Sequence, residues 1–421
     1  MRQIMTLLVH FVKVHGYIFL IRKLVVDFGK RYSGIIIFKV MVIILQKENK
    51  IRVGVLFGGR SSEHEISLLS AKYVMQHLDE KLFDVVPIGI DTKGTWFLGD
   101  FSSSKLSLQT EQKKLLFNPE SLSHHLSPVT SASVEKSPER LFDVVFPVIH
   151  GPLCEDGTVQ GLLELADVPY IGCGVLASAV GMDKDVSKRL VQHAGILTPA
   201  FVTVRRSIWN QNPQRFLETV TQKFSYPIFV KPANAGSSVG IKKVKHLDQL
   251  REAIDFAFHY DTKVIVEQGI DAREIEVAVL ERIGEEPFAS IPGEVIPSVT
   301  HEFYSYASKY LDEKGAELCI PAILDKDLQE TLQKTAKKIF SVLECEGMAR
   351  VDFLLEKNTN KIYFNEINSI PGFTTISMYP KLMIASGMAY TELLTHLIML
   401  AIDRHTQKTQ LTRQHVLSHT T

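Results

Sequence analysis

Arg350-Val351-Asp352-Phe353-Leu354-Leu355 and Ile362-Tyr363-Phe364-Asn365-Glu366-Ile367-Asn368, joined by Lys357-Asn358-Thr359-Asn360-Lys361, read as a β-hairpin. Pairing Asp352 with Glu366 sets Arg350 opposite Asn368, and the two-residue side-chain period then puts all four on one face. Two carboxylates, an amide oxygen and a guanidinium on one surface make a poor core. They suit Mg²⁺ held against a polyphosphate, with hard oxygens for the metal and a fixed cation for charge developing nearby. A solvated hairpin face is the plainer reading of an isolated Glu-x-Asn. The apolar runs Phe353-Leu354-Leu355 and Ile362-Tyr363-Phe364 favour the metal reading.

Working outward, the 421 residues are enough for two or three domains. Lys+Arg and Asp+Glu are equal at 47 each, so no basic excess argues for nucleic acid and no acidic tail is present. The four cysteines (Cys154, Cys173, Cys319, Cys345) have no paired spacing, which fits buried thiols in a reducing compartment better than a disulfide framework or a zinc site. Residues 1–50 stand apart, with nine Lys/Arg against two acids among apolar runs. A charge interrupts each run before the roughly 18 apolar residues that a membrane span needs. The segment reads as an extension of uncertain status, and a true start near Met41 explains it at least as well as a membrane anchor does. No membrane association is expected.

Ile51 to Phe57 is a buried-strand pattern running into Gly58-Gly59, and Ser61-Ser62 opens a helix. Val85 to Ile90 and Phe142 to Ile149 are further strands. This β-α-β order predicts an open parallel sheet with its site at the carboxyl ends of the strands. Ser102 to Pro138 reads as a surface insertion. A second unit begins near Gly181: a helix over Asp183–Ala194, a strand Ile228–Lys231, a Gly/Ser loop over Ala233–Gly240, a helix over Leu247–Phe258 and a strand Lys263–Glu267. Then come a strand Glu274–Glu281, an aromatic loop Phe303–Tyr310, a helix Asp327–Leu343, the opening hairpin and a helix Tyr390–Asp403. The expected units are residues 51–180, 181–267 and 268–403, with 404–421 as a polar, frayed tail.

Several residues invite chemistry and also have plain readings. The loop after Lys231 lets backbone N–H groups and Ser237 approach phosphate oxygens, but its lysine precedes the glycines, so it is not a Walker A loop. An ordinary hairpin turn is the alternative. Glu267 at a strand end, with Glu274 after it, can accept from a nucleobase amine or ribose, or be a solvated acid. Lys184 at a helix start is unremarkable alone. Glu65 completes a capping box with Ser62, or faces a ligand where a glycine-rich strand exit meets a helix. His150 at a strand end carries the same ambiguity.

Together these residues resemble the D-alanine–D-alanine ligases of the ATP-grasp superfamily. The resemblance runs in order from about Ile51 to Asp403. Its carriers are Val55-Leu56-Phe57-Gly58-Gly59 with Glu63-His64-Glu65-Ile66-Ser67, then His150-Gly151 with Glu155-Asp156-Gly157. They continue through Met182-Asp183-Lys184, Lys231-Pro232 with Gly236-Ser237-Ser238-Val239-Gly240, Ala307-Ser308-Lys309-Tyr310, Arg350-Val351-Asp352 and Asn365 to Thr374. The resemblance implies an α/β ATP-grasp fold with an N-terminal Rossmann-like domain, ATP and two Mg²⁺ (or Mn²⁺) as cofactors, D-alanine as substrate, a homodimer and a cytoplasmic location. It implies that Lys184, Lys231 and the lid residue Lys309 contact phosphates, that Glu267 and Ile270 frame adenine, and that Glu274 holds the ribose. Asp352, Glu366 and Asn368 are implied as metal ligands. Glu65 would pair with the first D-alanine's ammonium, with His150 nearby. Arg350 and the Gly372 backbone would stabilise the oxyanion, and Ser377 and Met378 would bind the second alanine's carboxylate. Ser237 and Tyr310 would bond to each other and to Glu65, with Tyr310 favouring an amine over D-lactate as nucleophile. The expected product is D-alanyl-D-alanine for peptidoglycan, made through an acyl phosphate. D-alanyl-D-lactate or D-alanyl-D-serine is the alternative.

Overall fold

The computed structural model describes residues 50–98, the backbone of 113–115, and residues 141–297 and 316–412. The expected lid, most of the Ser102–Pro138 insertion and the amino-terminal extension lie outside the described residues.

Three sheets organise the chain. The first has the order β4-β3-β2-β1-β5, from β1 (Ile51–Gly58), β2 (Phe83–Ile90), β3 (Trp96–Leu98), β4 (Lys113–Leu115) and β5 (Val144–Pro147). Strands β1 and β5 are parallel, but β2–β3 and β3–β4 are antiparallel, so the sheet is mixed where a parallel one is expected. The Gly94 turn accounts for the β2–β3 pair: so short a link can only return the chain antiparallel. β4 falls inside the segment read as an insertion and extends the sheet edge. Helices α1 (His64–His77), α2 (Thr158–Leu165) and α3 (Val175–Met182) follow the glycine-rich strand exits. The core of this unit joins Leu56, Ile88, Val145 and Ile149 to Val159 and Leu163 of α2.

The second sheet is wholly antiparallel, β6-β9-β7-β8, from β6 (Phe201–Arg205), β7 (Ile228–Pro232), β8 (Lys242–Val244) and β9 (Lys263–Gln268). Helix α4 (Lys184–His193) precedes it, with the Asp183 carboxylate accepting from the Asp185 and Val186 amides as N-cap. Helices α5 (Arg206–Gln211), α6 (Pro213–Lys223) and α7 (Leu250–Ala257) cover one face. In α7 the apolar residues Leu250, Ala253, Ile254 and Ala257 recur at helical spacing and are all buried.

The third sheet, also antiparallel, runs β13-β12-β10-β14-β15 with β11 on β10. Its strands are β10 (Ala272–Arg282), β11 (Glu285–Ala289), β12 (Gly293–Pro297), β13 (Ala316–Cys319), β14 (Met348–Glu356) and β15 (Ile362–Asn368). Helix α8 (Lys326–Val342) lays Leu332, Ala336, Ile339 and Phe340 against it. Helices α9 (Met378–Ala385) and α10 (Tyr390–Thr409) close the unit. The tail expected to fray from Arg404 instead continues α10 to Thr409. Arg404 donates to the carbonyls of Gly172 and Tyr170, both at 2.7 Å, and Lys408 pairs with Glu164 at 2.5 Å. Those partners are distant in sequence, so the polar composition of the segment hides its anchorage.

All four cysteines are free thiols, three of them buried. Among the described residues no single helix is long and apolar enough to cross a membrane. The bent pair α9 and α10 passes on length and composition, but most of its apolar side chains are packed in the core.

Candidate active site

The hairpin has the register read from the sequence. Arg350 faces Asn368 and Asp352 faces Glu366, with a bulge after Asp352. Arg350 donates from Nε to Asp352 Oδ1 at 2.8 Å and from Nη2 to Oδ2 at 2.7 Å, and Asn368 Nδ2 donates to the same Oδ2 at 2.9 Å. A residue that the sequence reading passed over completes this group. Glu276 on β10, opposite Asp352, is buried with its Oε2 at 2.8 Å from Arg350 Nε. Burial works against the Arg350 charge, but the carboxylates of Asp352 and Glu276 more than offset it, so the guanidinium is held well above its ordinary value.

Two cavities flank these residues and share Glu276 and Glu366. The larger, about 780 Å³, is a cleft between the second and third sheets. It is lined by Lys184, Lys231, Glu267, Ile270, Glu274 and Asp352, among others. Lys231 Nζ lies 2.6 Å from Glu267 Oε2, and the fully buried Lys188 lies 3.0 Å from Oε1. Burial would raise the Glu267 carboxyl, but the two ammoniums bring it down to about 2. Burial in turn lowers Lys188 to about 8, against the pull of Glu267. Lys184 donates to the Ala235 carbonyl at 2.8 Å and sits 3.3 Å from Glu366. Its place at the first turn of α4 is fixed from below, where Lys263 pairs with Asp183 and Asp185. The loop between β7 and β8 is a hairpin connection, as the plainer reading has it, yet its Ser238 and Ala235 line the cleft.

The smaller cavity, about 380 Å³, is lined by Glu63, His150, Glu155, Ser237, Arg350, Gly372, Ser377 and Met378, among others. Here the geometry corrects one expectation. Glu65 is exposed on the first turn of α1, and Glu63 is the buried acid that faces the cavity. The helix starts at His64 with Glu63 at its N-cap position, one residue later than a Ser62 capping box requires, and this turns Glu63 inward. Ser237 Oγ donates to Glu63 Oε1. A side chain at Gly151 would approach Glu63 Oε2 to 2.8 Å, so the glycine leaves room for that carboxylate. Nothing in the spacing of two acids two residues apart distinguishes them, and only the helix start does. His150 is buried, with Nε2 3.1 Å from Ser70 Oγ and Nδ1 3.6 Å from Glu155. Burial opposes its protonation, but Glu155 and Glu63 raise its pKa overall.

Ser377 precedes α9, and its Oγ accepts from the Thr374 amide at 3.0 Å. A Cβ at Gly372 would come within 2.6 Å of Ser377 Oγ, so the two segments approach this closely only with glycine. Lys309 and Tyr310 lie outside the described residues.

Asp352, Glu366 and Asn368 offer two carboxylates and an amide oxygen. This donor set fits Mg²⁺, which takes few protein ligands and completes its shell with water and phosphate oxygens. Lys184 and Lys231 on the same cleft supply the fixed cations that a polyphosphate needs.

The comparisons with known proteins point the same way as the sequence resemblance. The family model for the N-terminus of D-ala D-ala ligase matches residues 52–173, and that for its C-terminus matches residues 190–399. The chain belongs to the D-alanine–D-alanine ligase family. It is 52% identical over 375 residues to D-alanine--D-alanine ligase A of Bradyrhizobium diazoefficiens, covering 87% of this chain and 98% of that one. It is 45% identical over 364 residues to D-alanine--D-alanine ligase A of Escherichia coli K12, covering 85% and 97%. Among solved structures it resembles the VanG D-Ala:D-Ser ligase of Enterococcus faecalis, with TM-score 0.72, 36% identity, and 84% and 100% coverage. It also resembles the D-alanine-D-alanine ligase of Coxiella burnetii, with TM-score 0.68, 38% identity, and 86% and 96% coverage.

Proposed function

We propose that this enzyme joins two D-alanines at the expense of ATP, forming D-alanyl-D-alanine for the cell wall. The observation that carries the reading is the convergence of Arg350, Asp352, Glu366 and Asn368 on one face, between a lysine-lined cleft and a smaller cavity walled by Glu63. The relatives named for D-alanyl-D-alanine synthesis reach 52% identity, against 36% for the D-Ser ligase, which favours the dipeptide.

A carboxylate does not condense with an amine unless it is activated. In our reading ATP lies in the larger cleft, with Glu267 and Ile270 at the adenine, Glu274 at the ribose and Lys184 and Lys231 at the phosphates. Asp352, Glu366 and Asn368 would hold one or two Mg²⁺, which when bound neutralise the polyphosphate. The first D-alanine keeps its ammonium against Glu63, the role first expected of Glu65, and its carboxylate oxygen attacks the γ-phosphorus with ADP leaving. By the family resemblance, Lys309 would reach the phosphate and Tyr310 would bond Ser237, both from the stretch 303–310 that lies outside the described residues. The acyl phosphate is water-sensitive, which gives the lid its purpose. The second D-alanine, its carboxylate at Ser377 and Met378, attacks the acyl carbon through its amine. Arg350 and the Gly372 amide stabilise the oxyanion before phosphate departs. We also propose domains at 51–180, 181–267 and 268–403, with a homodimer as the working assembly in the cytoplasm.

Phosphate release from ATP with D-Ala, L-Ala, D-lactate and D-Ser offered in turn tests the reading. Release with D-Ala alone, and with chromatographically identified dipeptide as product, supports it. Equal release with D-lactate or D-Ser as second substrate would point to the alternative.

A further inference from the structure

Lys188 has no task in the reading above, yet it is completely buried (0% exposed) and touches the cleft's acid. It lies one turn beyond Lys184 on the same face of α4. Its Nζ donates to the Phe364 carbonyl at 3.4 Å and lies 3.0 Å from Glu267 Oε1. The other carboxylate oxygen, Oε2, lies 2.6 Å from Lys231, whose side chain is 12% exposed and lines the cleft. Each oxygen of one buried carboxylate therefore has its own ammonium, one sealed in the core and one at the cleft wall.

The charge count gives this arrangement a consequence. Glu267 with both lysines carries a net single positive charge. Glu267 with Lys231 alone carries none, and an ammonium already neutralised at 2.6 Å attracts a phosphate weakly. We infer that Lys188 is a positioning residue that neutralises Glu267 from the core side, leaving the charge of Lys231 available to nucleotide phosphates. A purely structural role, satisfying a buried carboxylate, predicts something different. It would make adenosine and ADP lose affinity together when Lys188 is changed, because both need Glu267 in place. A role in charge balance makes the loss specific to the phosphate-bearing ligand, since adenosine has no charge to feel the difference.

This rests on reading the larger cleft as the nucleotide site, and the test separates the two claims. Adenosine and ADP are each titrated as competitors of a fluorescent ATP analogue on the full chain. Lys188→Gln keeps a hydrogen-bond donor and removes the charge, and Lys188→Met serves as a second variant should the first not fold. The ratio of adenosine Kd to ADP Kd should fall by about tenfold or more in either variant. It should recover toward the wild-type ratio in Lys188→Gln/Glu267→Gln, where Lys231 again carries an uncompensated charge, even though adenosine itself binds less well. An unchanged ratio in the single variants, or no recovery in the double variant, overturns the inference while leaving the nucleotide site intact. Failure of ADP to compete on the wild-type protein overturns the site reading and the inference with it.

Discussion

Glu63 and Glu65 show how much one residue of helix phase decides. Both are acids at the start of α1, but Glu63 is buried against Ser237 and Glu65 faces solvent. Glu63→Gln should lower turnover by about a hundredfold or more, because a buried charge partner of the substrate is lost. Glu65→Gln should change it by no more than about twofold, as surface substitutions usually do. Steady-state rates of the two variants side by side check this, and the reverse order would restore the sequence expectation. The residues whose roles depend on strand alternation, Arg350, Asp352, Glu366 and Asn368, were legible because a hairpin fixes faces by parity. Glu63, Glu276 and Lys188 were not. Each is identified by a partner far away in the chain (Ser237, Arg350 and Glu267), and no local pattern announces those contacts.

At the scale of elements, strand β9 ends on Glu267 and Gln268, and helix α4 meets it with Lys188. The Glu267 carboxyl is lowered to about 2 in the folded chain, so its stabilising contribution is complete above the ordinary carboxylate range and is lost as the pH falls toward that value. Glu267→Gln leaves Lys188 without its carboxylate and should cost about 3–5 kcal/mol near neutrality. The gap in unfolding midpoint between wild type and this variant should therefore narrow as the pH is lowered from about 6 to about 3. A gap independent of pH would contradict the assignment of that charge pair. The long, strongly periodic elements, such as β1, β9, β10, α4, α7, α8 and the hairpin, were legible from periodicity and punctuation. Short strands such as β3, β6, β8 and β11 to β13, and helices α2, α3, α5, α6 and α9, were not. The mixed first sheet and the long α10 were not, because strand direction is set by the length of the connections and the polar end of α10 is held by Tyr170, Gly172 and Glu164.

For the whole molecule, the amino-terminal segment has basic, interrupted apolar runs, and the family match begins at residue 52. The relatives are matched over 97–98% of their own length by 85–87% of this chain. A chain beginning near Gln46 should stay soluble and keep its activity, and membrane fractionation of the full-length form that is lost on truncation would count against this. The central claim is that the first D-alanine's own carboxylate is phosphorylated between the two cavities. It is tested most directly by supplying D-alanine labelled with heavy oxygen in its carboxylate and reading the released phosphate by mass spectrometry. The account predicts one labelled oxygen in each phosphate, because the bridging oxygen of the acyl phosphate leaves with phosphorus when the amine attacks carbon. Unlabelled phosphate alongside dipeptide formation, or label appearing in AMP, would contradict it.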